Sequence, residues 1–334
     1  MIFRNPDYSK TEPNKEIESI IKQVFYFVIK LIPATQAKQI KETEKKLSVI
    51  ICNDTLIHKH VHNGVLQDTK LIASAHKFWT DIDTNNMSAN QGIALRPNCK
   101  NKHTIAHETL HAFSSSMGKT PNGGYVKVGS LYTITDDTMH KTVESHGSVL
   151  NEAITDALAS RFQGTIGPGT GAGYGPLVLL ADLLIGEELE NNLFLQDVYW
   201  GMGNKFEKDF DKTVKTSQIK FANYLKPFVI CGTPEDNLNS DNLLQGAIEY
   251  KLRKAQTLQE IDKTYAFQQE IINFYKNGGW VTGFIEDTDI ERMDNLLKFA
   301  KKIRLHQKLK ITNKNQANKK QTTHLSGSKT AQMR

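Results

Sequence analysis

Apolar positions in the first third of the chain follow two different periods. Over residues 15–32 they recur at three- and four-residue steps: Ile17, Ile20, Ile21, Val24, Phe25, Val28 and Leu31. That spacing lines one face of an α-helix, and Pro33 ends it. Residues 35–46 are mostly charged and polar and predict a second helix. From Leu47 to Val61 Val, Ile and Leu crowd around Asn53-Asp54, which predicts a hairpin or two short strands. A further strand is expected within 69–80, and a short one at Gly92, Ile93, Ala94 and Leu95, closed by Arg96-Pro97. Helical spacing returns over 100–116. A loop of about thirty residues is expected next, from Pro121, Gly123, Gly124 and Asp136-Asp137. Further helices are expected over 149–162, 177–192, 196–211, 241–256, 258–276 and 287–311, with Asp241 and Thr257 as N-caps. Residues 164–176, GTIGPGTGAGYGP, read as a mobile loop. The chain carries no internal repeat, and the mixture of periods predicts an α+β fold with a small twisted sheet and a mainly helical C-terminal part.

Composition narrows the class. The chain has 334 residues, 39% of them hydrophobic, enough for a sizeable core. No apolar run approaches the roughly 18 residues that span a bilayer, so no membrane span is expected. Three cysteines, Cys52, Cys99 and Cys231, are too few and too odd for a disulfide scaffold, and predict free thiols in a reducing compartment. The polar start, MIFRNPDYSKTEPNKE, does not resemble a secretory signal. The expected location is therefore the cytoplasm, or a host cytosol reached through a specialised secretion system. The net charge is +6, yet residues 301–334 hold ten Lys and Arg and no Asp or Glu, leaving −4 over residues 1–300. The basic excess thus belongs to the tail. Residues 312–334 lack any apolar period and are expected to be a disordered, solvated end, so nucleic acid is not an expected partner of the body.

The chemistry concentrates at His107-Glu108-Thr109-Leu110-His111. Residues four apart leave the same face of a helix, so the two imidazoles can share one metal ion, and zinc suits them. Glu108, one step round the helix, can reach a metal-bound water without taking a ligand position. At this composition, chance placement yields the pattern about 0.02 times per chain. A catalytic zinc takes three protein ligands and keeps one position open. Downstream, Asn151-Glu152-Ala153-Ile154-Thr155-Asp156 opens a helix. Its Glu152 can be the third ligand, and Asp156, four residues on, can accept a hydrogen bond from the far nitrogen of a ligand histidine.

These two motifs resemble those of the gluzincins, the thermolysin-like superfamily of zinc metallopeptidases. The resemblance covers under a tenth of the chain, with a looser likeness through Ala157-Leu158-Ala159-Ser160-Arg161, Tyr174 and the helix over 177–189. It implies a zincin-like catalytic domain over 47–230, between an N-terminal helical segment, 1–46, and a C-terminal helical part of the same body, 231–311, with the basic tail at 312–334. It implies zinc on His107, His111 and Glu152, Glu108 as catalytic base, Asp156 as partner of His107, and Asn151 as a helper beside His111. The implied reaction is hydrolysis of peptide bonds in a protein or peptide, by an enzyme expected to act as a monomer. Forty residues separate His111 from Glu152, about twice the separation in thermolysin, a departure shared with bacterial toxin members, so an effector protease with one host substrate is the alternative within this class. A zincin-fold binding module without turnover, and a nucleic-acid binder using the tail, are the alternatives outside it.

Two expectations concern substrate. Zincins add peptide as a strand beside the active helix, which points to Gly92, Ile93, Ala94 and Leu95 as the binding strand. A donor to the developing oxyanion is needed, and the sequence offers Tyr125, Tyr132, His140, His146 and Tyr174. The family likeness and the glycine-rich setting favour Tyr174, with His146 next. His58, His60 and His62 alternate, which suits either a solvated strand face or a second metal site.

Overall fold

The computed structural model describes the backbone of residues 1–330 apart from 8, 54, 63–64, 73–76, 84–87, 121–122, 136–141, 147, 168–174, 202–203, 217–220, 222–233 and 280–286; within 58–89, 119–123, 132–149, 168–176, 222–240, 279–288 and 319–330 it describes backbone alone.

Two helices open the chain after a three-residue strand, β1 (Ile2–Arg4). Helix α1 (Lys15–Leu31) is capped by Asn14, whose side chain accepts from the Glu16 and Ile17 amides, and buries the expected apolar stripe. Helix α2 (Ala34–Lys46) follows Pro33 and buries only Ile40 and Thr43. Strand β2 (Ser48–Ile51) then lies parallel to β1 and to β6 (Ser88–Leu95), and β5 (Lys77–Asp83) closes the sheet antiparallel to β6, in the order β1-β2-β6-β5. Of the two outcomes expected around Asn53-Asp54, two short strands form, and they do not pair as a hairpin. β2 reads as a continuous apolar run because parallel neighbours bury it, whereas β3 (Thr55–His62) pairs with β4 (Val65–Ile72) as a separate two-stranded ribbon.

The loop expected after 116 is corrected to four antiparallel strands, β7 (Ser115–Thr120), β8 (Gly123–Val128), β9 (Leu131–Thr135) and β10 (Thr142–His146), in the order β10-β9-β8-β7. Gly129 and Ser130 join β8 to β9, with Val128 opposite Leu131. Gly129 takes a φ of 56°, in the left-handed region that a tight hairpin turn requires.

The helical expectations hold with shifted ends. They appear as α3 (Lys102–Phe113), α4 (Ser148–Phe162), α5 (Gly175–Ile185), α6 (Lys205–Thr213), α7 (Pro234–Lys254), α8 (Leu258–Phe274) and α9 (Asp287–Thr330). Asp241 lies inside α7 rather than at its cap, while Thr257 makes a full capping box with Glu260 on α8. The helix expected over 196–211 is split into a π-helical turn (Leu195–Tyr199) and α6. Helix α9 continues through the tail to Thr330 instead of stopping at 311. Its last buried side chain among those described is Ile311, and those described beyond it, 312–318, are exposed. One apolar core runs from Phe3 through α1, α3, α4, α5 and α7 to Ile311 on α9. Among the described residues, no helix is long and apolar enough to cross a membrane.

Candidate metal centre

A type II-like turn aims α3 out of the sheet. Cys99 N–H donates to Arg96 O at 3.1 Å, Pro97 occupies the second position, and Asn98 sits at a φ of 62°. Asn101 then caps the helix, its Oδ1 accepting from His103 N–H at 2.9 Å and Thr104 N–H at 3.3 Å. At the other end the Ser114 and Ser115 hydroxyls donate to His111 O at 3.1 and 2.8 Å, satisfying a carbonyl left over by the helix end. Helix α4 is buried over almost all of 150–160. A polar stripe on it, Asn151, Glu152, Thr155 and Asp156, therefore needs polar partners, and α3 supplies them. The pairings run in opposite directions, from His103 with Asp156 to His111 with Asn151, so the two helices lie antiparallel with their polar faces together.

At the centre of this seam three donor atoms converge. His107 Nε2 and His111 Nε2 lie 3.1 Å apart. Glu152 Oε2 is 3.1 Å from the first and 3.3 Å from the second. A tetrahedral zinc with bonds of 2.0–2.1 Å has ligand-to-ligand edges of about 3.3 Å, so this triangle fits such an ion. Protons satisfy it poorly, because two imidazole nitrogens aim at one carboxylate oxygen and at each other. His111 is nearly enclosed, with 5% of its side chain exposed, whereas Glu152 keeps 34%, so the triangle opens on the Glu152 side.

The charges are coupled. Burial alone pushes His111 down, but Glu152 and Glu108 beside it outweigh that and leave its pKa raised. Burial likewise pushes Glu152 up, and the two histidines overcome it, holding the carboxylate well below its usual range. Glu108 is partly buried, and its field reaches both His111 and the Cys99 thiol, whose pKa is raised by burial first and by Glu108 second. The catalytic-base candidate thus lies beside the triangle without belonging to it.

Behind His111 the support is layered. Its Nδ1 meets Asn151 Nδ2 at 3.3 Å and Thr155 Oγ1 at 3.5 Å. Thr155 gives its proton to Asn151 O at 2.7 Å and lies 2.8 Å from the Tyr199 hydroxyl. With Tyr199 donating, Thr155 keeps a lone pair for a proton on His111 Nδ1, the tautomer that frees Nε2 for a metal. Asn151 Oδ1 also accepts from Ser130 N–H at 3.1 Å, tying the β8–β9 turn to the site. Lys127 closes the assembly: its buried ammonium donates to Tyr199 O at 2.5 Å and to Gly129 O. Two carbonyls replace water incompletely, and burial pushes Lys127 down to about 7.

Two expectations change against this geometry, and others fall on residues or side chains that are not described. Asp156 Oδ1 is 3.8 Å from His107 Nδ1 but 2.6 Å from Nε2 of His103, so its closest imidazole is one that the motif does not include. The strand of Gly92, Ile93, Ala94 and Leu95 is interior: β2 pairs along one side of it and β5 along the other, so it has no edge for substrate. The outer strands of this sheet are β1 and β5, and β5 lies against α3. Tyr174 and His140 lie outside the described residues, as do the side chains of Tyr132, His146, His58, His60 and His62. Tyr125 is described, its ring lying over Gly118 across the β7–β8 ladder.

Sequence reasoning missed His103, Tyr199, Lys127 and Gly129. His103 had a signal, standing four residues before His107 in the same helical register. Tyr199 had none, because a π-helical turn in a different part of the chain delivers it. Compared with known proteins, the chain matches no protein-family model, no curated protein and no solved structure.

Proposed function

We propose that this protein is a zinc-dependent peptidase, a reading carried by the His107–His111–Glu152 triangle with Glu108 beside it. The donor set supports zinc: two imidazoles and one carboxylate are the ligands of one well-known class of hydrolytic zinc site, and the 3.1–3.3 Å edges suit tetrahedral bonding. When bound, zinc supplies a Lewis acid for a carbonyl and a water acidic enough to attack near neutral pH. His107, His111 and Glu152 would hold the ion, and the triangle they form is open to solvent on the Glu152 side. Glu108 takes a proton from the attacking water and returns it to the leaving amine. Thr155, with Tyr199 donating to it, holds His111 in its ligating tautomer, and Asn151 packs beside the ring. Zinc activates many reactions, and the peptide as substrate comes from the motif resemblance. An extended protein or peptide chain would pair with β5, the antiparallel outer strand beside α3.

The test combines metal analysis with cleavage. Purified protein carries about one zinc per chain, His111→Ala loses it, and Glu108→Gln keeps it while losing most turnover in proteome-wide N-terminus profiling. Protein with no zinc, unchanged in the histidine variant, ends the metal reading. Equal cleavage by wild type and Glu108→Gln ends the catalytic one.

A further inference from the structure

Helix α3 carries a third histidine on the face that holds the triangle. His103 is 4% exposed, and its Nε2 lies 2.6 Å from Asp156 Oδ1. The same Asp156 oxygen lies 3.8 Å from Nδ1 of His107, whose other nitrogen belongs to the triangle. His103, His107 and Asp156 thus bring donor atoms together in a group that a second metal might seem to fill. The distances decide against that. Two separate ligands on a zinc ion stand about 3.3 Å apart, and 2.6 Å is a short charge-assisted hydrogen bond. A carboxylate can only accept, so His103 Nε2 carries the proton. The far nitrogen, Nδ1, is buried with no hydrogen-bond partner among the described residues. The enclosed ring therefore makes its polar contact at one end, onto Asp156.

Asp156 needs that contact. It is 1% exposed, and the buried Asp182 lies close enough for the two charges to raise the Asp182 pKa, to about 6, although burial is the larger cause. Arg161 answers Asp182, with Nη2 at 3.1 Å. The Asp156 carboxylate, placed beside a like charge, is steadied by the donor from His103.

We propose that His103 is a positioning residue of the metal centre: it holds Asp156 so that one carboxylate oxygen faces both His103 Nε2 and His107 Nδ1, orienting the His107 ring toward the ion. This rests on the zinc reading above. His107 is oriented through a two-step relay, His103 to Asp156 to His107, parallel to the Tyr199–Thr155 support behind His111. The repeat of histidines at 103, 107 and 111 then has one cause, a single helix face that supplies two ligands and the anchor of their outer support.

Zinc titration against a competing chelator, on the full-length protein, tests this. His103→Leu weakens zinc about ten-fold, the scale on which outer partners act. His103→Gln, whose amide N–H reaches nearly as far as imidazole Nε2–H, stays within about two-fold of wild type. In an Asp156→Asn background, where the anchored charge is gone, His103→Leu has little further effect. Should His103→Leu fail to fold by circular dichroism, His103→Asn replaces it, because its shorter amide cannot span to Asp156. Wild-type affinity in the folded Leu or Asn variant, or an undiminished loss in the Asp156→Asn background, overturns the proposal while leaving the zinc reading intact. A wild-type protein that binds no zinc overturns both.

Discussion

Gly129 offers a paired test of how the β8–β9 turn supports His111. It sits at a φ of 56°, and a Cβ there would fall 1.9 Å from Asn151 Oδ1 and 2.5 Å from Tyr199 Cε2. Gly164 has a comparable φ of 76° with nothing within 4 Å of its Cβ position. Both Gly→Ala changes incur the left-handed penalty of about 1–2 kcal/mol. Only Gly129→Ala also forces atoms apart, which adds about 1–3 kcal/mol of overpacking. It also costs about 1 kcal/mol for the Ser130 N–H bond to Asn151, which must retreat by more than an ångström. The totals are about 4.5 kcal/mol for Gly129→Ala and about 1.5 kcal/mol for Gly164→Ala. At about 2.1 cal/mol/K per residue, a chain of this length loses about 6 °C and about 2 °C of melting temperature respectively. Zinc binding separates the variants further, since Asn151 leaves His111 only in the first: affinity falls about ten-fold in Gly129→Ala and stays unchanged in Gly164→Ala. Thermal melts of metal-free protein and chelator competition measure both effects. Equal melting temperatures, or wild-type zinc affinity in Gly129→Ala, would refute the account of Asn151 and Tyr199 as the support behind His111.

Three other outcomes follow from the charges and the burial. Zinc competes with a proton on His111, whose pKa lies above the ordinary 6.5. Apparent affinity should therefore fall by up to about ten-fold per pH unit as pH drops through that raised value; a flat profile between pH 6 and 8 contradicts it. Lys127 has a folded pKa of about 7 against 10.5 unfolded. Between those values the unfolded chain binds more protons, so this residue's contribution to stability rises with pH, by up to about 1.4 kcal/mol per unit. Urea unfolding at pH 7 and pH 9 should show wild type gaining on Lys127→Met, and a constant difference would show that the ammonium is not desolvated. Deleting residues 313–334, beyond Ile311, should move the melting temperature by no more than about 2 °C, because the described side chains of that stretch are exposed; a drop of many degrees would mean that the extension packs on the body.

Much of the site was legible as short-range pattern. Histidines four apart on a helix share a face whatever the rest of the chain does, and so do Glu152 and Asp156. The amphipathic stripe of α1 and the capping box at Thr257 follow from neighbours in sequence for the same reason. The four strands after α3 were less legible, since their glycines and aspartates read as loop. The alternation of Tyr125-Val126-Lys127-Val128 against Leu131-Tyr132-Thr133-Ile134 around Gly129-Ser130 was the signal for a hairpin. The tertiary structure alone decided the rest, because it depends on partners far apart in the chain. It placed β5 between the strand of Gly92 to Leu95 and the sheet's outer edge, turned Asp156 toward His103, and brought Tyr199 and Lys127 round behind His111. Sequence determines which groups one helix face presents; packing two buried helices against each other determines which of them meet, since leaving an enclosed polar group without a partner is costly.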